Sequence, residues 1–255
     1  LDDVTWLEGF GSAGDKTRRL VALADWLWSA GLGDGPAGFP RLGAVGCGAA
    51  SAISARYLAR PESAAMGMLG CGVQGRSHVE AMNVLFPLKK VMAYDLNPEV
   101  QSQFAGDIRT LFDLEVVPVK TPREAVSGCD IVVTAGPMTK TPHATIQAGW
   151  LDKGAFASLV DYDAYWQPAA MQEVDKFCTD DTHQFQMAQQ AGYFKELPDL
   201  HADLGELATN RKPGRQSPEE CTMAANLGLA LNDMAVAPLI YQKAKEKGIG
   251  TWLDL

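Results

Sequence analysis

The sequence predicts an α/β protein with a Rossmann-type, doubly wound parallel sheet and a reduced helical N-terminal segment. The first observation behind this prediction is that short apolar runs alternate with helical segments along most of the chain. The second is that residues 64–95 run in the order strand, glycine-rich turn, helix, strand and acidic residue. That order is typical of a dinucleotide-binding unit.

The glycine-rich turn has the spacing G-x-G-x-x-G, formed by Gly70, Gly72 and Gly75. We expect Gly70 to allow the sharp turn out of the strand, and Gly72 to let the main chain approach a pyrophosphate. We expect Gly75 to let the following helix pack closely on the sheet. The phosphates would lie at the helix N-terminus, where unpaired N–H groups point outward. The alternative is that these glycines only form a turn.

The acidic residue of the unit is Asp95, which lies twenty residues beyond Gly75 at the end of the second strand. A carboxylate at this position accepts hydrogen bonds from an adenosine ribose. It also repels a 2′-phosphate, because both groups are negatively charged. The predicted cofactor is therefore NAD(H) rather than NADP(H).

Further strands and helices are expected after Asp95. The apolar runs with the character of strands cover residues 115–119, 130–135, 155–160 and 177–178. Helices are expected from Pro98 to Arg109 and from Pro122. Ligands of parallel sheets bind beyond the carboxyl ends of the strands. The candidate positions there are the glycine turn, Asp95, Thr134 with Gly136, and the pair Asp161 and Asp163.

Three regions are expected along the chain. Residues 1–60 form a helical N-terminal segment, residues 61–230 the NAD-binding domain, and residues 231–255 a C-terminal helix that packs back on the N-terminal segment. The run Ser217–Glu220 has the form of a capping box at a helix start. A helix is expected from Gly228 to Lys247, with Pro238 as a kink or in its first turns.

Composition and charge narrow the possible partners. The net charge of −9 and the pI of about 4.9 argue against a nucleic-acid partner. The apolar runs are too short for a membrane span, and Asp2 and Asp3 stand where a signal peptide carries basic residues. We therefore expect a cytoplasmic protein that does not bind membranes. The five cysteines and four histidines lack metal-ligand spacing, so no metal site is expected.

Two stretches of the chain carry a resemblance to a known family. They are AASAISARYLARPESAAMGMLGCGVQGRSHVEAM and NRKPGRQSPEECTMAANLGLALNDMAVAPLIYQKAKEKG. The Gly-Val-Gln sequence in the first and the P-G-R-x-S-x-x-E sequence in the second are fairly specific. The chain resembles the ornithine cyclodeaminase/mu-crystallin family from about Gly48 to Leu255.

The resemblance implies an NAD(H)-dependent oxidoreductase or cyclodeaminase that acts on small amino or imino acids. In an ornithine cyclodeaminase, hydride abstraction from Cα gives an imine, the side-chain amine attacks, ammonia leaves, and the cyclic imine is reduced again. Other members of the family are alanine dehydrogenases and cyclic-imine reductases. Mu-crystallin represents a binding role.

The resemblance also assigns roles to single positions. The pyrophosphate turn of the family falls on Gly70, Gly72, Val73, Gln74 and Gly75, and its ribose carboxylate falls on Asp95. Thr134 falls beside the cofactor. Asp163 falls on the acid that transfers protons at the reacting nitrogens, although without the resemblance it reads as a helix cap or a solvated acid. Asn226 and Gly228 fall on a turn that borders the nicotinamide, and are otherwise read as caps.

The N-terminal part of the chain departs from the family. There the family has a substrate domain with a lysine and an arginine for the substrate carboxylate and most of the dimer contact. Lys16 does not resemble the family lysine, and the family arginine aligns with Gly46. Arg41 is a candidate substitute for the arginine, with an exposed loop arginine as the alternative. A homodimer is possible.

Three hypotheses follow. The first is an enzyme, which Asp163, Asn226 and the P-G-R run favour. The second is an NAD(H)-binding protein of the mu-crystallin type that has lost its substrate clamp and acts as a sensor or small-ligand binder. The third is a shortened form whose substrate domain comes from another chain or was removed. Gly46 and the missing lysine favour the second and third, and we adopt the first.

Overall fold

The computed structural model describes residues 42–137 and 144–248 of the chain. The predictions that concern residues 1–41, including Arg41 as a substrate ligand, lie outside the described residues. The same holds for residues 249–255. Within the described part, every helix is too short or too polar to cross a membrane.

Strands in the described residues form one parallel sheet. In chain order they are β1 (Ala65–Leu69), β2 (Lys90–Tyr94), β3 (Glu115–Pro118), β4 (Ile131–Thr134), β5 (Phe156–Leu159), β6 (Lys176–Thr179), β7 (Leu200–Asp203) and β8 (Thr222–Ala225). Their order across the sheet is β3-β2-β1-β4-β5-β8-β6-β7, and all neighbours run parallel. The first five positions have the strand order of a doubly wound Rossmann sheet, which confirms the predicted fold class.

Helices connect these strands. Those in the described residues are α1 (Leu42–Leu58), α2 (Val73–Leu85), α3 (Pro98–Leu111), α4 (Pro122–Val126), α5 (Pro168–Met171), α6 (Thr182–Gln190), α7 (Leu204–Ala208) and α8 (Ala230–Glu246). The helices expected from Pro98 and Pro122 both begin at those residues. Asn97 caps the first by accepting the Glu99 N–H, and Thr121 caps the second. Pro238 lies inside α8.

The core has one layer on each face of the sheet. On one face, Met66, Met68 and Phe156 pack with Phe104 of α3 and with small residues of α1. On the other face, Leu69 and other strand residues pack with aromatic side chains; these include Trp166, Phe177 and Phe185. The short strands β4 and β5 are buried along their whole length, as expected for central parallel strands. Helix α1 packs against α2 and α8.

The prediction of a capping box at Ser217–Glu220 is wrong. The segment turns and leads into β8 instead of a helix. The Ser217 hydroxyl accepts the Glu219 N–H two residues on, whereas the serine of a capping box accepts the N–H of the third residue on. The Glu220 carboxylate is paired with Lys176 of β6. These contacts stabilise a turn at the entry to the strand.

All five cysteines lie in the described residues and are free thiols. Burial raises the pKa of Cys71, Cys129 and Cys178 to about 12. These three thiols therefore stay protonated at neutral pH and are poor nucleophiles.

Candidate functional site

The candidate site lies at the carboxyl edge of the sheet, between β1 and β4. On one side of β1 the chain continues to β2 and β3, and on the other side it returns to β4 and β5. The strand order therefore reverses between β1 and β4. In open parallel sheets, a crevice that holds ligands forms outside the strand ends at such a reversal. The glycine turn leaves β1 at this point.

Gly70 and Gly75 are both required by the packing of the turn. Gly70 has φ +100°, and a Cβ on it would lie 2.5 Å from the Ala135 carbonyl oxygen. A Cβ on Gly75 would lie 2.5 Å from the Gly70 carbonyl oxygen. The end of β1, the end of β4 and the first turn of α2 therefore approach each other more closely than a side chain allows. These glycines play the structural parts expected of the first and third motif positions.

Gly72 differs from its two neighbours in the motif. A Cβ on this residue would meet no atom within 4 Å, and its φ of −76° suits any residue. The protein's own packing therefore does not require glycine here. Gly72 is the N-cap of α2, and no side chain hydrogen-bonds to the N–H groups of the first turn from this position. Val73, in the first turn, is 42% exposed. The turn thus leaves an open space before the helix N-terminus, where main-chain N–H groups favour an anion such as a pyrophosphate.

Asp95 lies beside the glycine turn and supports it. One carboxylate oxygen accepts the Cys71 N–H at 2.8 Å, and the other accepts the Asn97 N–H at 2.9 Å. The side chain is half-buried. Each carboxylate oxygen retains lone-pair capacity for a further donor. Asp95 is therefore positioned to accept hydrogen bonds from ribose hydroxyls near the turn.

Thr134 and Asp161 form a buried pair at the ends of β4 and β5. The Thr134 hydroxyl donates to Asp161 at 2.7 Å, and the Gly136 N–H donates to the other Asp161 oxygen at 2.9 Å. The indole N–H of Trp166 lies 3.3 Å from the Thr134 hydroxyl oxygen. Burial raises the pKa of Asp161 to about 7. The Thr134 side chain is fully buried, and its hydroxyl hydrogen is used in the bond to Asp161.

Asp163 has a different environment from Asp161. One of its carboxylate oxygens accepts the Phe194 N–H at 2.8 Å. The other is buried and has no hydrogen-bond partner among the described residues. A buried acceptor without a partner is costly unless a ligand or solvent pairs with it. The Asp163 carboxylate therefore keeps one oxygen that no described residue satisfies.

Asn226 and Gly228 follow β8 and have separate contacts. The Asn226 side chain is buried and bonds to Ser158 at 2.9 Å and Ser54 at 2.9 Å. Gly228 has φ +83°, and its N–H donates to Asp180 at 2.8 Å. Burial raises the pKa of Asp180 to about 6. The prediction from sequence missed Asp180, although it follows directly on an expected strand end.

A chain of buried hydrogen bonds links Asn226 to the glycine helix. A carbonyl can only accept, so His78 Nδ1–H donates to the Gln74 carbonyl at 2.7 Å. His78 Nε2 then accepts the Ser51 hydroxyl at 2.9 Å. Ser51 accepts from Ser158 at 3.0 Å, and Ser158 accepts from Asn226. Burial lowers the pKa of His78 to about 4, which keeps the ring neutral and the chain intact at neutral pH.

The Gln74 side chain leaves the turn and contacts α1. It lies close enough to the thiol of Cys47 to interact with it, and the pKa of that thiol is raised mainly by burial. The Gln74 Oε1 atom is buried and has no hydrogen-bond partner in the described part of the chain. Only the main chain of Gln74 therefore belongs to the glycine turn in this structure.

The P-G-R run lies at the opposite edge of the sheet. The Arg215 guanidinium donates to the Leu58 carbonyl at 2.7 Å, the Ala155 carbonyl at 3.2 Å and the Thr222 hydroxyl at 3.1 Å. These groups lie at the end of α1 and at the starts of β5 and β8. The run therefore secures the fold away from the candidate site, and it does not distinguish an enzyme from a binding protein.

This fold and this site define a Rossmann-type α/β protein with the phosphate turn of the dinucleotide-binding class. The model of the ornithine cyclodeaminase/mu-crystallin family matches residues 40–248. The chain belongs to the ornithine cyclodeaminase/mu-crystallin family.

Characterised relatives in this family are similar in sequence. Alanine dehydrogenase of Archaeoglobus fulgidus is 32% identical over 217 residues, which is 80% of this chain and 64% of the relative. A Δ1-pyrroline-2-carboxylate reductase of Bacillus cereus is 29% identical over 81% of this chain and 66% of the relative. The chain thus spans about two thirds of the length of these relatives.

Solved structures agree with the assignment. The Δ1-pyrroline-2-carboxylate reductase of Thermococcus litoralis, in complex with NADH and L-proline, superposes with a TM-score of 0.72 at 29% identity. It is matched over 83% of this chain and 68% of that chain. An archaeal alanine dehydrogenase dimer with bound NAD gives a TM-score of 0.68 at 29% identity, over 82% of this chain and 66% of that one.

Proposed function

We propose that this chain is an NAD(H)-dependent oxidoreductase that acts on small amino or imino acids. The observation that carries the proposal is the open space at Gly72, before the N-terminus of α2 and beside the Asp95 carboxylate. A pyrophosphate fits such a space because a side chain would fill it and because helix N–H groups face it. Two similar solved structures, of a reductase and a dehydrogenase, hold NADH or NAD.

Different residues of the site bind the cofactor and take part in proton transfer. The first turn of α2 binds the pyrophosphate, and Asp95 accepts hydrogen bonds from the adenosine ribose and disfavours a 2′-phosphate. When bound, the cofactor supplies hydride transfer. Asp163 holds or releases the proton at the reacting nitrogen, because one of its oxygens has no hydrogen-bond partner among the described residues. Asn226, fixed by Ser158 and Ser54, borders the nicotinamide side.

The substrate class is an α-amino acid or a cyclic imino acid. Oxidation of an α-amino acid at Cα gives an imine and NADH, and water hydrolyses that imine with loss of ammonia. Cyclodeamination instead requires a second amine on the substrate that attacks the imine carbon. The relatives named above are a dehydrogenase and reductases, which favours simple oxidation or reduction over cyclodeamination. Cyclodeamination of ornithine remains the alternative reaction at the same residues.

A binding protein of the mu-crystallin type is the second candidate. Gly46, which stands at the family arginine position, provides no side chain for a substrate carboxylate, and among the described residues the nearest side-chain charge is that of Asp233. A substrate carboxylate needs a cationic partner to be held for hydride transfer. In this alternative the nucleotide site is retained and the chain binds NAD(H) without turnover.

The experiment uses the full chain. NADH is first titrated by fluorescence, and the protein with NAD⁺ is then incubated separately with L-alanine, L-proline and L-ornithine. Appearance of NADH absorbance with alanine or proline supports the oxidoreductase. Proline formed from ornithine without net NADH supports the cyclodeaminase. NADH binding without either product supports the binding protein, and no NADH binding contradicts the site itself.

We also propose a homodimer as the assembly. The supporting observation is that the similar archaeal alanine dehydrogenase is a dimer. Light scattering on the full chain tests this proposal, since a mass of one chain would contradict it.

A further inference from the structure

Tyr165 lies in the segment that follows β5, and its main chain is firmly held. Its carbonyl oxygen accepts the N–H groups of Thr145 at 2.9 Å and Ile146 at 2.8 Å. The next residue, Trp166, is buried and bonds to Thr134. These contacts therefore fix the main chain of Tyr165 on the carboxyl side of β5, and its ring extends from that point.

The Tyr165 ring lies against Gly136 at the end of β4. A Cβ on Gly136 would meet ring atoms Cε2 at 2.4 Å and Cζ at 3.2 Å, and the hydroxyl oxygen at 3.3 Å. The ring therefore occupies the place of a side chain on Gly136. Glycine at this position allows the ring to cross the end of β4 in close contact with the main chain.

The Tyr165 hydroxyl faces the groups around the glycine turn. It is close enough to the carboxylates of Asp161 and Asp95 to interact electrostatically with both, and also with Tyr94 and Cys71. Asp161 follows β5, Tyr94 and Asp95 lie at the end of β2, and Cys71 follows β1. The side chain thus starts after β5, crosses the end of β4 and reaches toward β1 and β2. It spans the crevice where the strand order reverses.

We propose that Tyr165 is a cofactor-binding residue whose hydroxyl donates a hydrogen bond to the pyrophosphate or the adenosine ribose of NAD(H). This role rests on the proposed function. The adenosine half of the cofactor is favoured because Asp95 and Cys71 mark the place of its ribose and of the phosphate turn. A donor at this point offsets the repulsion between the phosphates and the nearby carboxylates of Asp95 and Asp161.

The protonation state of Tyr165 suits a donor. Burial and the nearby carboxylates raise the pKa of its hydroxyl, so the phenol keeps its proton at neutral and moderately alkaline pH. The half-buried ring remains in reach of a ligand in the crevice.

The test compares the unmodified chain with Tyr165→Phe and with Tyr57→Phe as a matched control. Tyr57 is also half-buried, but it lies in the last turn of α1, near Arg215 at the opposite edge. Calorimetry gives the Kd of NADH and of ADP-ribose for each protein. Tyr165→Phe is expected to weaken both ligands by about tenfold, the typical loss of one hydrogen bond to a charged group. Tyr57→Phe is expected to bind both as the unmodified chain does.

The outcomes separate this role from the proposed function. Unchanged affinity of Tyr165→Phe for both ligands overturns the role of Tyr165 while leaving NAD(H) binding intact. Loss for NADH but not for ADP-ribose places the contact on the nicotinamide half and overturns the assignment. If the unmodified chain binds neither ligand, the proposed function itself fails. Phenylalanine keeps the ring against Gly136, so a thermal melt should show that the variant folds normally.

Discussion

The Asp161→Asn substitution is expected to change how the free energy of unfolding depends on pH. Asp161 is buried at the ends of β4 and β5 and accepts hydrogen bonds from the Thr134 hydroxyl and the Gly136 N–H. An asparagine amide matches the protonated acid, because its oxygen accepts the Gly136 N–H and its NH₂ donates to the Thr134 hydroxyl oxygen. The variant therefore keeps the contacts and removes the ionisation.

The magnitude follows from the pKa of Asp161. Burial raises it from the ordinary value of 3.8 to about 7. The contribution of this group to stability is then fully present below the ordinary pKa and is lost as the pH rises through about 7. A shift of about three units corresponds to about 4 kcal/mol at most, at about 1.4 kcal/mol per unit. Asp180, with a pKa of about 6, acts in the same direction in both proteins.

The assay is urea unfolding followed by tryptophan fluorescence at several pH values. Between pH 5 and pH 9 the stability of the variant relative to the unmodified chain is expected to rise by about 2–3 kcal/mol, because about two pH units of the window that ends near pH 7 lie in this range. Asp199→Asn, at an exposed acid, is the matched control for the loss of one carboxylate charge. A variant of Asp161 that is less stable at every pH, by a constant amount, would refute the reasoning.

Two further predictions concern the hydrogen-bond chain and the P-G-R run. Ser158→Ala leaves the Asn226 amide without its 2.9 Å acceptor and should lower the free energy of unfolding by about 1–3 kcal/mol in urea, whereas Ser102→Ala, at an exposed position of α3, should change it by no more than about 0.5 kcal/mol. An equal loss in the free energy of unfolding for both variants would contradict a stabilising role of this hydrogen-bond chain. Arg215→Lys replaces a planar fork that contacts several carbonyls, so it should lower the melting temperature while leaving the Kd of NADH unchanged by fluorescence titration. A weakened Kd in the folded variant would place Arg215 in the site.

The glycine turn and the first five strands were predictable from the sequence for local reasons. Each of these strands is a continuous apolar run, and the turn carries glycines where the main chain needs them. Strands β7 and β8 escaped prediction because their sequences, LHAD and TMAA, have a weak apolar pattern, although they are as long as β4 and β5. The Ser217–Glu220 run matches a capping box in composition, but its Glu220 carboxylate pairs with Lys176 of β6 and accepts the Gln216 N–H.

The groups that surround the turn depend on long-range order. Strand β8 inserts between β5 and β6, which brings Asn226 to Ser158 across 68 positions of sequence. Tyr165 reaches Gly136 only because β4 and β5 are neighbours. The local sequence pattern contains no information on the order of strands in the sheet. For that reason neither contact was visible before the structure.

The central claim is that a dinucleotide pyrophosphate occupies the open space at Gly72. The measurement that tests it most directly is the Kd of NADH for the unmodified chain, for Gly72→Val and for Gly106→Val. A Cβ at either glycine would meet no atom within 4 Å, so both variants should fold. We predict that Gly72→Val weakens NADH binding by more than about tenfold, because its side chain fills the phosphate position, and that Gly106→Val does not. NADH binding to Gly72→Val as tight as to the unmodified chain would contradict the account.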